Sequence, residues 1–193
     1  MSINVFEPKS QFKSQKTEII SAVKKVFESG NYILGKEVLK LEKKFIEDSK
    51  WGVFLSNCSK AWIKQTLNQE ISKFQLISSW IVRQFKNEYN PIHTHGGHLS
   101  GVGYLKVPKS FGEYHQKTKV SNQNGLLTLV HGTRTFMSES TYNVAPKVGD
   151  FYFFPNYLMH TVYPFTGTDD ERRSVSFNAL IDDDIYNVFK QKK

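Results

Sequence analysis

Apolar positions in the first part of the chain recur every three or four residues, whereas later they fall in short runs separated by turn residues. Residues 14–49 read as helix: Ile19, Ile20, Val23, Val26 and Phe27 keep the helical repeat until Ser29-Gly30-Asn31 breaks it. A second helix starts near Gly35, with Val38, Leu41, Phe45 and Ile46 as its apolar positions and Lys43–Glu47 spaced for an i,i+4 ion pair. A third helix is predicted over residues 61–75. From Leu76 onward, strands are predicted at 76–85, 91–95, 99–107, 125–131, 150–154, 158–165 and 173–181. Pro108, the Asn122–Gly125 turn, Pro146, Pro155 and Gly167 punctuate them. Many short strands with such spacing predict a sandwich or barrel. The expected organisation is an N-terminal helical extension, residues 1–75, packing on the sheet of a β-domain at 76–193.

Composition narrows this picture. A chain of 193 residues, 39% apolar and 23% charged, is long enough for a globular domain with an extension. Aromatics reach 14%, with 15 Phe and 9 Tyr concentrated in the second half, which favours strands there. Cys58 is the only cysteine, so internal disulfides and Cys-rich zinc sites are excluded. No apolar run nears the ~20 residues of a membrane span. The start, Met1-Ser2-Ile3-Asn4, lacks signal-peptide features, so a cytoplasmic location without a membrane partner is expected. The net charge of +8 is spread over scattered lysines, apart from a small group at Lys190, Lys192 and Lys193. Such a pattern is first a solvated surface. A nucleic-acid partner has only this charge behind it, because no recognition motif accompanies it.

Three of the six histidines stand where ligands of one metal ion would. His93 and His95 lie at the end of a predicted strand, and residues i and i+2 of a strand project from one face. His160 follows the turn and aromatic strand Gly149–Phe154 and then Pro155, and a rolled sheet can bring it beside the earlier pair. Imidazole suits iron, zinc, copper or nickel. A His-x-His pair by itself is common without a metal; the third histidine, in that context, is what raises the reading. His98, His115 and His131 lack such context and read as structural or surface residues. Farther on, Arg172, Ser174, Ser176 and Asn178 share one strand face, while Arg173, Val175, Phe177 and Ala179 share the other. The first face is polar throughout, as a ligand cavity would be. A guanidinium with a hydroxyl two residues on can hold a carboxylate. The plain alternative for Arg172 is a surface ion pair with Asp169, Asp170 or Glu171.

Two stretches carry a family resemblance. Ser79-Trp-Ile … Asn87-Glu-Tyr-Asn-Pro-Ile-His93-Thr-His95 … Leu99–Pro108, and then Pro146–His160 … Glu171–Asn178, resemble the small 2-oxoglutarate/iron(II) oxygenases of phages and marine bacteria, distant relatives of prolyl 4-hydroxylases. The resemblance covers residues 76–181 and implies a double-stranded β-helix, or jelly roll, similar to that of cupins. It further implies an iron(II)-dependent dioxygenase, hydroxylase-like. Such an enzyme couples oxidative decarboxylation of 2-oxoglutarate to succinate with C–H oxidation by O2 of a small-molecule or peptide substrate. His93 matches the first iron ligand and His160 the distal one. Arg172 and Ser174 match the pair that grips 2-oxoglutarate, assisted by Tyr104. Ser100 and Val102 would line the same inward face, and Gln84 falls at another cosubstrate-pocket position. The usual middle ligand is Asp or Glu. Here it is His95, which is either a third ligand or a neighbour of a water that fills that position. A fainter resemblance, over residues 18–60, is to the opening helices of sugar aminotransferases; the chain is too short for that fold and no cofactor lysine is marked.

A cupin-like metal-binding protein would also have the rolled sheet, the His-x-His pair and a later His. Cupins commonly add a Glu soon after that pair, where this chain has Gly96-Gly97-His98-Leu99. A non-catalytic phage accessory module is the other alternative, and it would be expected to have lost ligands. Loop 109–124, basic and irregular, is placed to shape the entrance.

Overall fold

The break expected at Ser29-Gly30 is present. In a computed structural model describing residues 8–30, 35–113, 118 and 121–187, helix α1 (Pro8–Ser29) ends as Gly30 turns left-handed at φ +68. Helix α2 (Lys36–Asp48) follows Gly35, with Lys43 and Glu47 paired at 3.9 Å. Helix α3 (Trp51–Leu67) begins well before the expected residue 61 and stops at Asn68, which is left-handed at φ +52. The chain divides into two compact units, 1–55 and 56–193. The first holds α1, α2 and the first turn of α3; the second holds the rest of α3 and every strand. No helix among the described residues is long and apolar enough to cross a membrane.

Among the described residues, eight strands form two four-stranded antiparallel sheets: β1 (Phe74–Gln84), β2 (Asn90–His93), β3 (Leu99–Lys106), β4 (Leu127–Val130), β5 (Thr141–Val144), β6 (Phe151–Pro155), β7 (Met159–Val162) and β8 (Arg172–Ile181). One sheet runs β1-β8-β3-β6 and the other β2-β7-β4-β5. This is the double-stranded β-helix. Val102, Tyr104 and Phe154 from the first sheet meet Leu127, Val144 and Val162 from the second in one buried cluster, so the sheets face each other. A second cluster joins Ile63 of α3 to Ile71, Leu99 and Ile181, with Ile185 and Tyr186 of the short helix α4 (Asp183–Tyr186) against it. Seven strands fall where the sequence pattern puts them. The eighth, β5, was not expected: its four residues alternate, with Tyr142 and Val144 two apart, but the run is too short to stand out and only Val144 is buried.

Close backbone approach explains two glycines of β3. A Cβ at Gly101 would lie 2.4 Å from the Phe177 ring, and one at Gly103 would lie 2.3 Å from the Phe151 ring. The outer face of this sheet is thus tiled by Phe151, Phe153 and Phe177, and Trp62 of α3 approaches Phe153 with centroids 6.3 Å apart. The aromatic run of β6 therefore serves packing on both faces: Tyr152 and Phe154 turn inward to the cluster between the sheets, and Phe154 also lines the site.

Candidate metal centre

Antiparallel pairing of β2 with β7 places His93 directly opposite His160. Their ring centroids are 4.3 Å apart, and the His95 centroid is 4.9 Å from each. One nitrogen from each of the three rings lies within 4.8 Å of the others. The Nδ1–H of His93 donates to Pro91 O at 2.6 Å and that of His160 to Leu158 O at 2.9 Å. A ring whose Nδ1 carries the proton presents Nε2 as a lone pair. Nε2 of His95 and Nε2 of His160 are 3.1 Å apart. Adjacent ligands on one ion have that separation when metal–nitrogen bonds of about 2.1 Å meet near a right angle. Burial lowers the pKa of His95 to about 4, with help from the neighbouring imidazoles His160 and His93, and burial lowers that of His160 also. Neutral imidazole is the metal-binding form. The donor set therefore fits a divalent transition ion.

His95 is held differently from the other two. It lies beyond the end of β2, and Gly96-Gly97 follow it, so no strand ladder fixes it. Its backbone is gripped on both sides by Asn156: His95 N donates to Asn156 O at 2.9 Å, and Asn156 Nδ2 donates to His95 O at 3.0 Å. The Trp80 ring flanks the imidazole at 5.5 Å.

A cavity of about 340 Å3 extends from the three histidines to Arg172, lined also by Trp80, Gln84, Leu127, Phe154, Val162, Ser174 and Ser176. As the alternation on β8 predicted, Arg172 and Ser174 point inward, each 2% exposed, while Phe177 lies buried on the opposite face. Arg172 does not form the surface ion pair considered above. Glu171 is taken instead by Arg83 (2.9 and 3.0 Å) and by Arg173. Among the described residues, the Arg172 side chain donates from Nη1 to Gln84 Oε1 at 3.4 Å and has no carboxylate partner. Its Nε and the Tyr104 hydroxyl are buried and make no well-formed hydrogen bond, although the two side chains interact with each other. Its guanidinium lies 5.0 Å from the centre of the Tyr104 ring. Burial lowers the Arg172 pKa, opposed by Tyr104, and raises that of Tyr104, opposed by Arg172. Arginine remains charged regardless. A buried cation without a counter-charge costs several kcal/mol, and an anionic ligand in the cavity would supply it. The orphaned donors thus fit a dicarboxylate whose far end reaches Arg172.

Of the residues expected from sequence, His93, His95, His160, Arg172, Ser174 and Gln84 share this cavity. Tyr104 and Ser100 do not line it: Tyr104 backs the guanidinium, and the Ser100 hydroxyl donates to Asn178 at 2.8 Å. His98 lies outside the cluster, stacked on Tyr186 at 4.0 Å, and His131 is exposed. His115 and parts of loop 109–124 lie outside the described residues, as do Lys190, Lys192 and Lys193. Trp80, Asn156 and Tyr186 were not foreseen. Their contacts to the site cross the fold, and a Pro-Asn turn before a candidate ligand was the one local signal, at Pro155-Asn156.

A double-stranded β-helix with three imidazoles converging on one point, and a buried arginine across the same cavity, is an arrangement that fits a metal ion and an acidic ligand beside it. The family model described as "Putative 2OG-Fe(II) oxygenase" matches residues 78–178, and the chain belongs to that family. No curated protein matches the sequence. Solved structures similar to it include a 2OG-Fe(II) oxygenase family oxidoreductase from Burkholderia pseudomallei, at 14% identity and TM-score 0.45 over 62% of this chain and 49% of that one. HygX from Streptomyces hygroscopicus, with nickel and 2-oxoglutarate bound, is 14% identical with TM-score 0.44, over 64% of this chain and 63% of that one. A Pseudomonas putida prolyl-4-hydroxylase is 17% identical with TM-score 0.39, over 64% and 61%. The chain thus spans between 49% and 63% of the length of these structures. The likeness of residues 18–60 to sugar aminotransferases finds no support in these comparisons.

Proposed function

We propose that this protein is an Fe(II)- and 2-oxoglutarate-dependent dioxygenase that hydroxylates a small molecule or a peptide residue in the cytoplasm. The observation that carries the reading is the buried Arg172 guanidinium, without a counter-charge, lining the same cavity as three converging imidazoles. We assign the activity to residues 76–193 and read residues 1–75 as an extension of that domain.

His93, His95 and His160 would hold the iron, and Arg172 and Ser174, with Gln84, the far carboxylate of 2-oxoglutarate. When bound, iron, 2-oxoglutarate and dioxygen supply the oxidising power: the cosubstrate leaves as succinate and carbon dioxide, and one oxygen atom enters a C–H bond of the substrate. The protein's own share is placement. Pro91 O and Leu158 O orient two of the rings. Arg172 fixes one end of the cosubstrate so that its keto acid end reaches the histidines. Tyr104 supports that guanidinium from behind, and Ser100 braces β8 through Asn178. Leu127, Phe154 and Val162 keep water from the interior of the cavity.

Anaerobic titration of the metal-free protein tests this. Fe(II) or Co(II) should bind in a manner abolished by His93→Ala and by His160→Ala. 2-Oxoglutarate should bind to the loaded protein, and aeration should then yield slow succinate formation. Metal binding without any affinity for 2-oxoglutarate would favour a cupin-like metal protein and defeat the proposal.

A further inference from the structure

His93 and His160 sit in a strand ladder, but His95 does not, and the rigidity of a third ligand must come from somewhere else. Every backbone hydrogen bond described for residue 95 goes to Asn156. Asn156 also donates its own N–H to His98 O at 3.1 Å, closing the 95–98 loop on itself. Its side chain is oriented in turn by Tyr186, whose hydroxyl donates to Asn156 Oδ1 at 2.8 Å. An amide held at Oδ1 has its Nδ2 aimed, and here it is aimed at His95 O.

Tyr186 is itself firmly placed. Its ring stacks on His98 with planes 9° apart, and His98 Nδ1 contacts the Ile181 backbone at 3.2 Å. At the start of the same segment, Asp182 accepts from Ser72 N, Lys73 N and Ser72 Oγ at 2.9, 3.0 and 2.6 Å. The turn Asp182–Tyr186 is therefore anchored at both ends, and it reaches the histidine cluster through one side-chain amide.

We propose that Tyr186 and Asn156 are positioning residues that set where the His95 imidazole stands, making the third ligand position dependent on the turn after β8. This rests on the reading of the three histidines as a metal centre. Groups that orient a ligand typically change metal affinity by about 10–100-fold when removed. Acting through the backbone, this pair belongs at the lower end of that range.

Co(II) titration of the full-length metal-free protein, followed by its visible absorption and by calorimetry, provides the test. Tyr186→Phe keeps the stack on His98 and removes only the hydroxyl; Asn156→Ala keeps the backbone bonds and removes only the amide. Each should weaken Co(II) binding on the order of tenfold and alter the ligand-field bands in the direction that His95→Ala does. In a His95→Ala background, Tyr186→Phe should cost nothing more. A role confined to folding would lower affinity equally in both backgrounds, and that result overturns the inference. So does an unchanged affinity and spectrum in both single variants while wild type binds. Failure of wild type itself to bind Co(II) would instead sink the reading of the centre. Should Tyr186→Phe not fold, Asn156→Ala carries the same comparison.

Discussion

Arg172 illustrates how one residue's surroundings state its task. It is the largest fully buried side chain among the described residues, yet the acid beside it in sequence, Glu171, is already paired with other arginines. Arg172→Ala should weaken 2-oxoglutarate binding by about 2 kcal/mol or more, roughly 30-fold, with the metal affinity nearly unchanged. Parallel titrations with each ligand check this, and an equal loss of both would count against the assignment. His95 makes a second residue-scale prediction. Its pKa of about 4 lies below the unfolded value of 6.5, so the folded state binds fewer protons between those limits. In the metal-free protein its ring resonances should hold still from pH 8 to about 5 and move only on approach to about 4. Its contribution makes the fold less stable as pH falls from 6.5 towards about 4. The proposed site residues were legible only in part: a strand's period of two puts Arg172 and Ser174 on one face, but β2 ends at His93, so His95 does not share its strand as the His-x-His spacing predicted. Asn156 and Tyr186 were not legible, since their contacts join residues 61 and 30 positions apart, and only the folded chain brings those together.

At the scale of elements, β1 and β8 are fastened beside the site by Glu171, which bridges Arg83 on β1 and Arg173 on β8. Hydrogen bonds from Arg173 and Arg83 hold its pKa at about 2, below the ordinary 4.5. This clamp is complete above pH 4.5 and is lost as pH falls towards about 2. Glu171→Gln should therefore flatten the loss of stability across that window, as read by urea unfolding at a series of pH values. Strand β3 gives a steric prediction. A methyl at Gly101 would also meet Tyr152 O at 2.8 Å, and the Phe177 ring it strikes is fully buried and has no room to retreat. Gly101→Ala should cost about 1–3 kcal/mol, visible as a lowered Tm. The long strands β1, β3 and β8 were readable from their apolar and aromatic runs. Strand β5 was hidden because its four residues, with only Val144 buried, are too short a run to mark an edge strand that pairs with β4.

For the whole molecule, the cavity exists because the two sheets contribute different halves of it. The sheet containing β2 and β7 supplies His93 and His160, while the sheet containing β1 and β8 supplies Trp80, Gln84, Arg172 and Ser174. A ligand spanning both halves ties the sheets together only in the folded state. At 100 times its Kd, a metal ion should add about 2.7 kcal/mol to stability. The corresponding rise in Tm should vanish in His93→Ala. Adding 2-oxoglutarate should raise Tm again in wild type and much less in Arg172→Ala.

The hydrogen bonds from His93 to Pro91 O and from His160 to Leu158 O have a further consequence. Each ring is held by a carbonyl two residues behind it in the chain, which turns its Nε2 towards the site. Burial lowers the pKa of both His95 and His160, so neither ring has a hydrogen ion to expel when a cation arrives near neutrality. Near neutrality, the heat of uptake should owe almost nothing at these two positions to the ionisation enthalpy of the chosen buffer.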